Sequence, residues 1–427
     1  MSAKESRSLK AAHTSEFAWP GRRRFSVAKQ RIAPVSYLRL LRGGTPQDEA
    51  TFRQSMSDRF GKQTKVFPLG RARSGIYLLV RHAVRPGRNR VLLSPFTIPD
   101  VVTMVMLAGG EPVFFDFEPN STACDVGPFQ SLIEKQTACA IVTHYHVNEP
   151  RLAEIYRICR EHGVYLFDDC AISFGGSIEG APLGVLSDGS VFSFSSFKLF
   201  NYFWGGMITT QNEEIGRFIE EEMKKWPRLS ARDYFAPAKA CLRYDLASNP
   251  LLFETIVFPL IQRRARKGGI AHSLENMRIE TTSLNATLTS KPALAAFAEW
   301  NRKLPKVAGW LAHRRSIARI YQRRLRHRMV SAANAQTVFN GSCFVNFPVT
   351  VPDARRDELA REMILSGFDV GRSLYPNVHR HQKFAVAAGV SKNVDRLVDG
   401  SIYLPTHFGV SEDYAEAIAA KLAHLLG

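Results

Sequence analysis

The stretch Val164-Tyr165-Leu166-Phe167-Asp168-Asp169, carried through residues 170–190 to Val191-Phe192-Ser193-Phe194 and then Lys198, decides how this chain is read. Both runs are continuously apolar and finish on polar groups, as strands do when both faces are buried and their ends reach an edge. Outward from them, similar runs occur at Val91–Ser94, Pro112–Phe117, Ala140–Thr143 and Met207–Thr210. Helical spacing lies between. In Arg151–His162, Leu152, Ile155, Tyr156 and Cys159 fall at i, i+3, i+4 and i+7, and Gly163 follows as a stop. Strands alternating with helices predict an α/β fold with a mostly parallel sheet, whose ligands sit beyond the carboxyl ends of the strands.

At 427 residues two cores are expected, because one core seldom grows past roughly 250–300 residues. Residues 1–60 are polar and basic and read as an N-terminal arm or a peripheral helix. Residues 61–290 read as the large domain, with a helical insertion at about 211–290 where the strand rhythm stops. Residues 291–427 read as a linking helix, roughly Lys291 to Arg328, and a smaller α+β domain. That domain is traced through Phe344–Val351, Ala354–Leu365, Ser401–Leu404 and a helix begun at Ser411.

The six cysteines lack CxxC spacing and lie mostly in apolar stretches, which suggests buried thiols of a reducing cytoplasm rather than a disulfide framework or zinc site. Arg22-Arg23-Arg24-Phe25 is followed by further basic residues, which argues against an export signal. No window approaches the ~20 apolar residues of a spanning helix; the longest, Pro250 to Ile261, contains Glu254. Fifty-seven Lys and Arg against 39 Asp and Glu give a net charge of +18, so the partner is expected to be anionic. Without a recognisable reading module, nucleic acid is not expected. The basic runs Arg22–Arg24, Arg263–Lys267 and Arg323–Arg328 read first as solvated faces. The apolar-then-basic segment 250–267 admits contact with a membrane surface as a second reading.

Three residues stand near predicted strand ends: Asp169, Ser193 and Lys198. A lysine among apolar and aromatic neighbours can lose its proton and attack an aldehyde. A carboxylate at the next strand end can keep a ring nitrogen protonated. At ~4 Å and an effective dielectric of about 20 such a pair gains roughly 4 kcal/mol before desolvation. A serine hydroxyl and a glycine-containing strand-to-helix turn can bind phosphate. Together these describe a site for pyridoxal 5'-phosphate (PLP). His144, His146 and the His379-Arg380-His381 cluster lack carboxylates in ligand spacing, so no metal site is expected.

The stretch from Val91 to Thr210 resembles the DegT–StrS family of sugar aminotransferases, within the aspartate-aminotransferase-like fold. The matching motifs are Ser193-Phe194-Ser195-Ser196-Phe197-Lys198 with Gly205-Gly206-Met207, His162-Gly163 with Asp168-Asp169-Cys170-Ala171, and Ala108-Gly109-Gly110-Glu111-Pro112-Val113-Phe114-Phe115-Asp116. Further on, Gly371-Arg372-Ser373-Leu374-Tyr375-Pro376 with His379, and Ser401-Ile402-Tyr403-Leu404-Pro405-Thr406-His407, resemble the family's C-terminal segments. The resemblance implies a PLP-dependent transferase of fold type I, with Lys198 as the Schiff-base lysine and Asp169 paired with the pyridine nitrogen. It implies that Ser193 and the backbone of Ser74-Gly75-Ile76 hold the phosphate, with Arg372, Tyr375 and His379 toward the substrate. Amino transfer from glutamate to a nucleotide-linked keto sugar, in a homodimer, is the implied activity.

Several positions depart from the family pattern. Ile172 stands where the family has Gln, and Ile76 stands for the Thr of the phosphate turn. The ring-stacking aromatic falls at Ile98, leaving Ile98 or Phe96 to pack on the ring. The family's Asn-x-Arg-Met segment is not recognisable around Asn276–Thr282. A sugar dehydratase on the same scaffold is the chemical alternative, disfavoured because such members replace the lysine with histidine. A binding or regulatory protein on the same fold is the other, kept open by Ile76, Ile98 and Ile172.

Overall fold

Residues 24–29, 32, 34–269, 281–325, 328, 336–373, 375–385 and 387–427 are described by the computed structural model. Their strands are β1 Lys65–Leu69, β2 Arg90–Leu93, β3 Glu111–Phe114, β4 Thr137–Thr143, β5 Tyr165–Asp169, β6 Ser177–Ile178, β7 Ala181–Pro182, β8 Gly189–Ser193, β9 Gly206–Thr210, β10 Asn346–Thr350, β11 Ala388–Gly389 and β12 Ser401–Pro405. Eight of them form one sheet in the order β1-β9-β8-β5-β4-β2-β3-β11. From β8 to β11 every pairing is parallel, and β9 alone runs against its two neighbours. Every strand read from the sequence in this region is present, its ends shifted by three residues at most.

Side chains alternate across the strands, so successive residues of β8 and β9 serve different cores. Val191 and Ile208 join Leu78, Leu79, Val105, Ile215 and Ile219 from helices Arg73–Ala83, Pro99–Leu107 and Glu213–Lys224. Phe192 and Met207 face Phe52, Phe194, Phe297 and Trp300. Helix Glu213–Lys224 therefore belongs to the sheet's own packing, and the expected insertion begins after it. The arm reading also needs correction beyond residue 33. Residues 34–60 form helices Pro34–Arg42 and Pro46–Phe60, the second begun by a capping box between Thr45 and Asp48. Its Phe52 is fully buried, with ring centroids 5.2 Å from Trp300 and 5.6 Å from Phe297. Residues 1–23 of the arm lie outside the described residues.

Helix Val307–Leu325 leads to the smaller unit, where β10 and β12 pair antiparallel and helices Arg356–Leu365 and Glu412–Leu426 complete a core of Ile317, Tyr321, Phe347, Ile402 and Ile418. Ser411 caps the last helix, its Oγ accepting from the Tyr414 N–H at 3.2 Å. Trp300 locks the large unit beneath the chain that follows β8. Gly205 lies at φ +145°, and a Cβ there would come within 2.3 Å of Trp300 Cζ2. Replacing Trp300 by Ala empties that contact and is expected to cost about 3–5 kcal/mol of stability, measurable by urea unfolding.

Candidate active site

The carboxyl ends of β4, β5 and β8 are adjacent, with Thr143 paired to Asp169 and Asp169 to Val191. Ser193 closes β8, and the chain then folds into the loop that carries Lys198. The Phe194 N–H donates to Gly205 O at 3.0 Å, the Tyr202 N–H to Phe194 O at 2.7 Å and the Lys198 N–H to Ser195 O at 3.0 Å. Asn201 donates its side-chain amide to Ser196 O. The buried Lys303 Nζ holds Asn201 through its backbone O (2.8 Å) and Oδ1 (2.7 Å). Glu299, 3.3 Å from Lys303 Nζ, balances that charge. Burial alone would raise the Glu299 pKa, but Arg302, Lys303 and Ser36 hold it below its ordinary value.

Lys198 is partly buried, and burial pushes its amine down to about 8. The negative charge of Asp169 works against that fall, and the positive charge of Arg73 works with it. Asp169 is itself buried, which raises its pKa, opposed by the Ala171 N–H (2.9 Å to Oδ1) and by Lys198 and His144. Tyr375 is pushed up first by burial and then by Asp169 and Tyr403. Tyr145 is raised by burial too, eased by hydrogen bonds from Ser94 and Thr143 and sharpened by Tyr375 and Asp169. Lys198, Asp169, Arg73, Tyr145 and Tyr375 thus share one field. Arg73 and Tyr145 were missed from the sequence. Their signals were a basic helix start without acid, Arg71-Ala72-Arg73-Ser74, and a tyrosine two residues beyond a strand end.

Helix Arg73–Ala83 starts with no side-chain cap and no acid in its first turn. Its N-terminus therefore favours an anion. Ser74 Oγ donates to Leu288 O (2.5 Å), and the Ser74 and Gly75 N–H groups bond to Arg71 O and Ala72 O within the turn. Gly75 is needed for packing, since a Cβ would sit 2.9 Å from Val191 Cγ2; Ile76 is buried beside it. Ser193 Oγ lies 3.2 Å from Ser195 Oγ. Arg73 forms an ion pair with Asp100 and donates to Thr281 Oγ1 at 2.9 Å.

The two residues expected as alternatives for the ring wall, Phe96 and Ile98, differ in exposure. Phe96 is fully buried among Tyr145 (5.1 Å), Tyr375 (5.6 Å) and Phe117 (6.2 Å), and has no surface left for a ligand. Half-buried Ile98, at the start of helix Pro99–Leu107, is the one of the two with surface to offer. Ile172 is buried shortly after Asp169. Arg372 is engaged by both carboxylate oxygens of Asp357 at 2.9 Å. The ring nitrogens of His379 meet Ser391 Oγ (3.2 Å) and Ala387 O (3.1 Å). Neither is among the charges acting on Lys198 or Asp169. The fold also gathers His144, Asp168 and Cys170, one donor atom of each within 4.8 Å of the others. His144 Nδ1 accepts the Glu149 N–H at 3.1 Å, which leaves its Nε2 toward Asp168 Oδ1 at 3.5 Å.

A largely parallel α/β sheet that brings a lysine into the field of a buried carboxylate at its carboxyl edge has the architecture of the PLP-dependent transferases of fold type I. The chain belongs to the DegT/DnrJ/EryC1/StrS aminotransferase family, whose profile matches residues 58–225 and 266–423. It is similar to a GDP-perosamine synthase of Vibrio cholerae, 29% identical over 127 residues that cover 30% of this chain and 35% of that protein. It is also similar to a UDP-4-amino-4-deoxy-L-arabinose--oxoglutarate aminotransferase of Shewanella sediminis, 29% identical over 198 residues that cover 45% of this chain and 50% of that protein. The chain thus spans half or less of these curated relatives. In fold it is similar to Helicobacter pylori PseC, an aminotransferase involved in the biosynthesis of pseudoaminic acid. The TM-score is 0.70 at 15% identity, covering 94% of this chain and 99% of that one.

The depressed Lys198 amine gives a pH dependence. The neutral form attacks, so the rate at which Lys198 captures an aldehyde should rise with pH through a midpoint near 8. Asp169→Asn removes the charge that raises this pKa and should move the midpoint downward, as stopped-flow absorbance would record.

Proposed function

We propose that this chain transfers an amino group, supplied by glutamate, to a nucleotide-linked keto sugar destined for polysaccharide, lipopolysaccharide or antibiotic-sugar assembly. The observation that carries this reading is the Lys198 amine brought down to about 8 within the field of Asp169. The residues present fit PLP: Lys198 for its aldehyde, Asp169 for its pyridine nitrogen, and the Ser74-Gly75-Ile76 turn with Ser193 and Arg73 for its phosphate. PLP, when bound, supplies an electrophilic carbonyl and an electron sink. Lys198 Nζ, half of it neutral near pH 8, takes a proton from the substrate carbon and returns it. Asp169 holds the proton on the pyridine nitrogen, and its own buried position keeps water from screening that charge. Tyr375 lies in the field of Asp169 and is the better supported substrate contact. Arg372 and His379, held by Asp357 and Ser391, would have to exchange partners to take that role.

The names of the two curated relatives support nucleotide-linked sugars as acceptors, and the second supports oxoglutarate, the keto form of glutamate, as the donor's product. Retention of Lys198 favours transfer over dehydration. A homodimer in the cytoplasm is the setting that the family resemblance supports.

Incubation with PLP followed by borohydride reduction should leave a pyridoxyl group on the Lys198 peptide by mass spectrometry, and Lys198→Ala should abolish it. Glutamate should convert the visible band of the loaded protein to the pyridoxamine form. A band that survives Lys198→Ala, or one that ignores glutamate, would overturn the proposal.

Arg73 gives a separate prediction, since it brings charge to the phosphate end while Ile76 lacks the family's hydroxyl. Arg73→Gln should weaken PLP about 10- to 100-fold, the worth of one charge-assisted hydrogen bond. Pyridoxal, which has no phosphate, should lose less affinity than PLP in an equilibrium titration, its loss reporting only the rise of the Lys198 pKa once the Arg73 charge is gone.

A further inference from the structure

Residues 226–265 fall between the two segments matched by the family profile. Two consecutive helices occupy most of this gap and run just past its end. The first is Phe235–Ala247. The second runs from Pro250 to Arg266, started by the Asn249 side chain accepting from the Leu251 N–H and interrupted by a π-helical turn at Phe253–Val257. The π turn sets Phe253 and Phe258 five residues apart yet keeps their rings together, with centroids at 5.6 Å. Both are buried with Ile261 and Ala265 against Ile364.

The other side of the second helix is unusual for a protein surface. Leu251, Leu252, Ile256 and Leu260 are exposed by 69, 36, 54 and 58%, and Leu242 and Leu246 of the first helix by 46 and 53%. On the second helix Thr255 and Pro259 share the exposed positions and carry no charge, whereas Arg243 stands exposed between Leu242 and Leu246 on the first. Following the same positions toward the C-terminus, the next exposed residues are Arg263 and Arg264, then Arg266 and Lys267. At the other end, Asn249 and Pro250 line a cavity of ≈ 380 Å³ together with Lys29, Lys306, Asp245 and Arg302, the last bonded to Glu299. Contiguous apolar surface of this kind marks an interaction site. The exposed cations that continue it at its C-terminal end, Arg263, Arg264, Arg266 and Lys267, say what charge the partner carries.

We infer that these helices dock the protein on the surface of an anionic lipid bilayer. Leu251, Ile256 and Leu260 enter the acyl boundary, and Arg263, Arg264, Arg266 and Lys267 meet headgroup phosphates. No described helix is long and apolar enough to cross a membrane, so the contact is with its surface. A second copy of the chain is the weaker occupant, because it would bring the same cations. The local carboxylates are already used: Asp245 accepts from Tyr37 OH at 2.7 Å, Asp233 from Ser230 Oγ at 2.7 Å, and Glu254 is half-buried.

The test is sedimentation of the full-length protein with phosphatidylcholine vesicles, with and without phosphatidylglycerol. Binding to the anionic vesicles should be at least about tenfold tighter than to the neutral ones and should weaken with salt. The double variants Ile256→Asp/Leu260→Asp and Arg263→Glu/Arg264→Glu should each lose about tenfold or more. Because these side chains are exposed, the thermal midpoint and the PLP band should stay as in the parent. Equal binding to both kinds of vesicle, no binding by the parent, or undiminished binding by either variant overturns the proposal. So does a parent that ignores vesicles but dissociates into smaller species when Ile256 and Leu260 become Asp, because a second copy then covers the face.

Discussion

The parallel pairing of β5 with β8, Asp169 opposite Val191, is the constraint on which the rest of the site depends. It sets the last residues of two buried strands side by side at one edge. Five residues of loop beyond Ser193 then bring an amine into the field of a carboxylate. A one-residue slip in this register would turn every side chain of the strand to the opposite face and leave the lysine without its partner. The apolar packing of Phe167 and Val191 on one face and Leu166 and Phe192 on the other resists that slip.

Holding an amine partly out of water is unfavourable, and the surrounding residues are arranged to sustain it. Burial lowers Lys198 and raises Asp169, so each group is moved toward neutrality while their mutual attraction pulls both back toward the charged forms. The balance leaves a lysine able to exchange its proton near neutral pH, which the chemistry requires. The loop resists relaxation because Lys303 grips Asn201 and because Trp300 fills the space that a side chain at Gly205 would need.

The sheet and its lysine were legible because strands buried on both faces write continuous apolar runs, and because Lys198 and Asp169 stand at fixed offsets from strand ends. β1 escaped notice since it opens on Lys65 and Pro68 interrupts its short apolar run, as is common on an edge strand. Residues 34–60 looked like an arm because their helices bury a narrow stripe, Phe52, Met56 and Phe60, among many charges. Arg73 was invisible for a different reason. Its meaning comes from Lys198 and Asp100, distant in sequence, and only the fold brings those charges together. Phe96 could not be told from Ile98 as the ring neighbour until Tyr145 and Tyr375 were seen to enclose it.

The inserted helices are not isolated from the chemistry. The Phe197 ring, next to Lys198, meets Tyr244 edge-on with centroids at 4.7 Å, and Cys241 bonds to Ser196. Tyr244 in turn donates to Ala28 O at 2.5 Å, tying the segment before the first described helix to the same point. Both residues that flank the reactive lysine loop on this side come from helix Phe235–Ala247, whose outward side carries Leu242 and Leu246. The loop's order thus rests in part on a helix that lies outside the segments matched by the family profile. A chain that kept the strand ends but lost residues 226–265 would keep the lysine's electrostatics and lose one wall of its loop. Residues 226–265 therefore pack against the candidate site on one side and carry the exposed Leu242, Leu246, Leu251, Ile256 and Leu260 on the other.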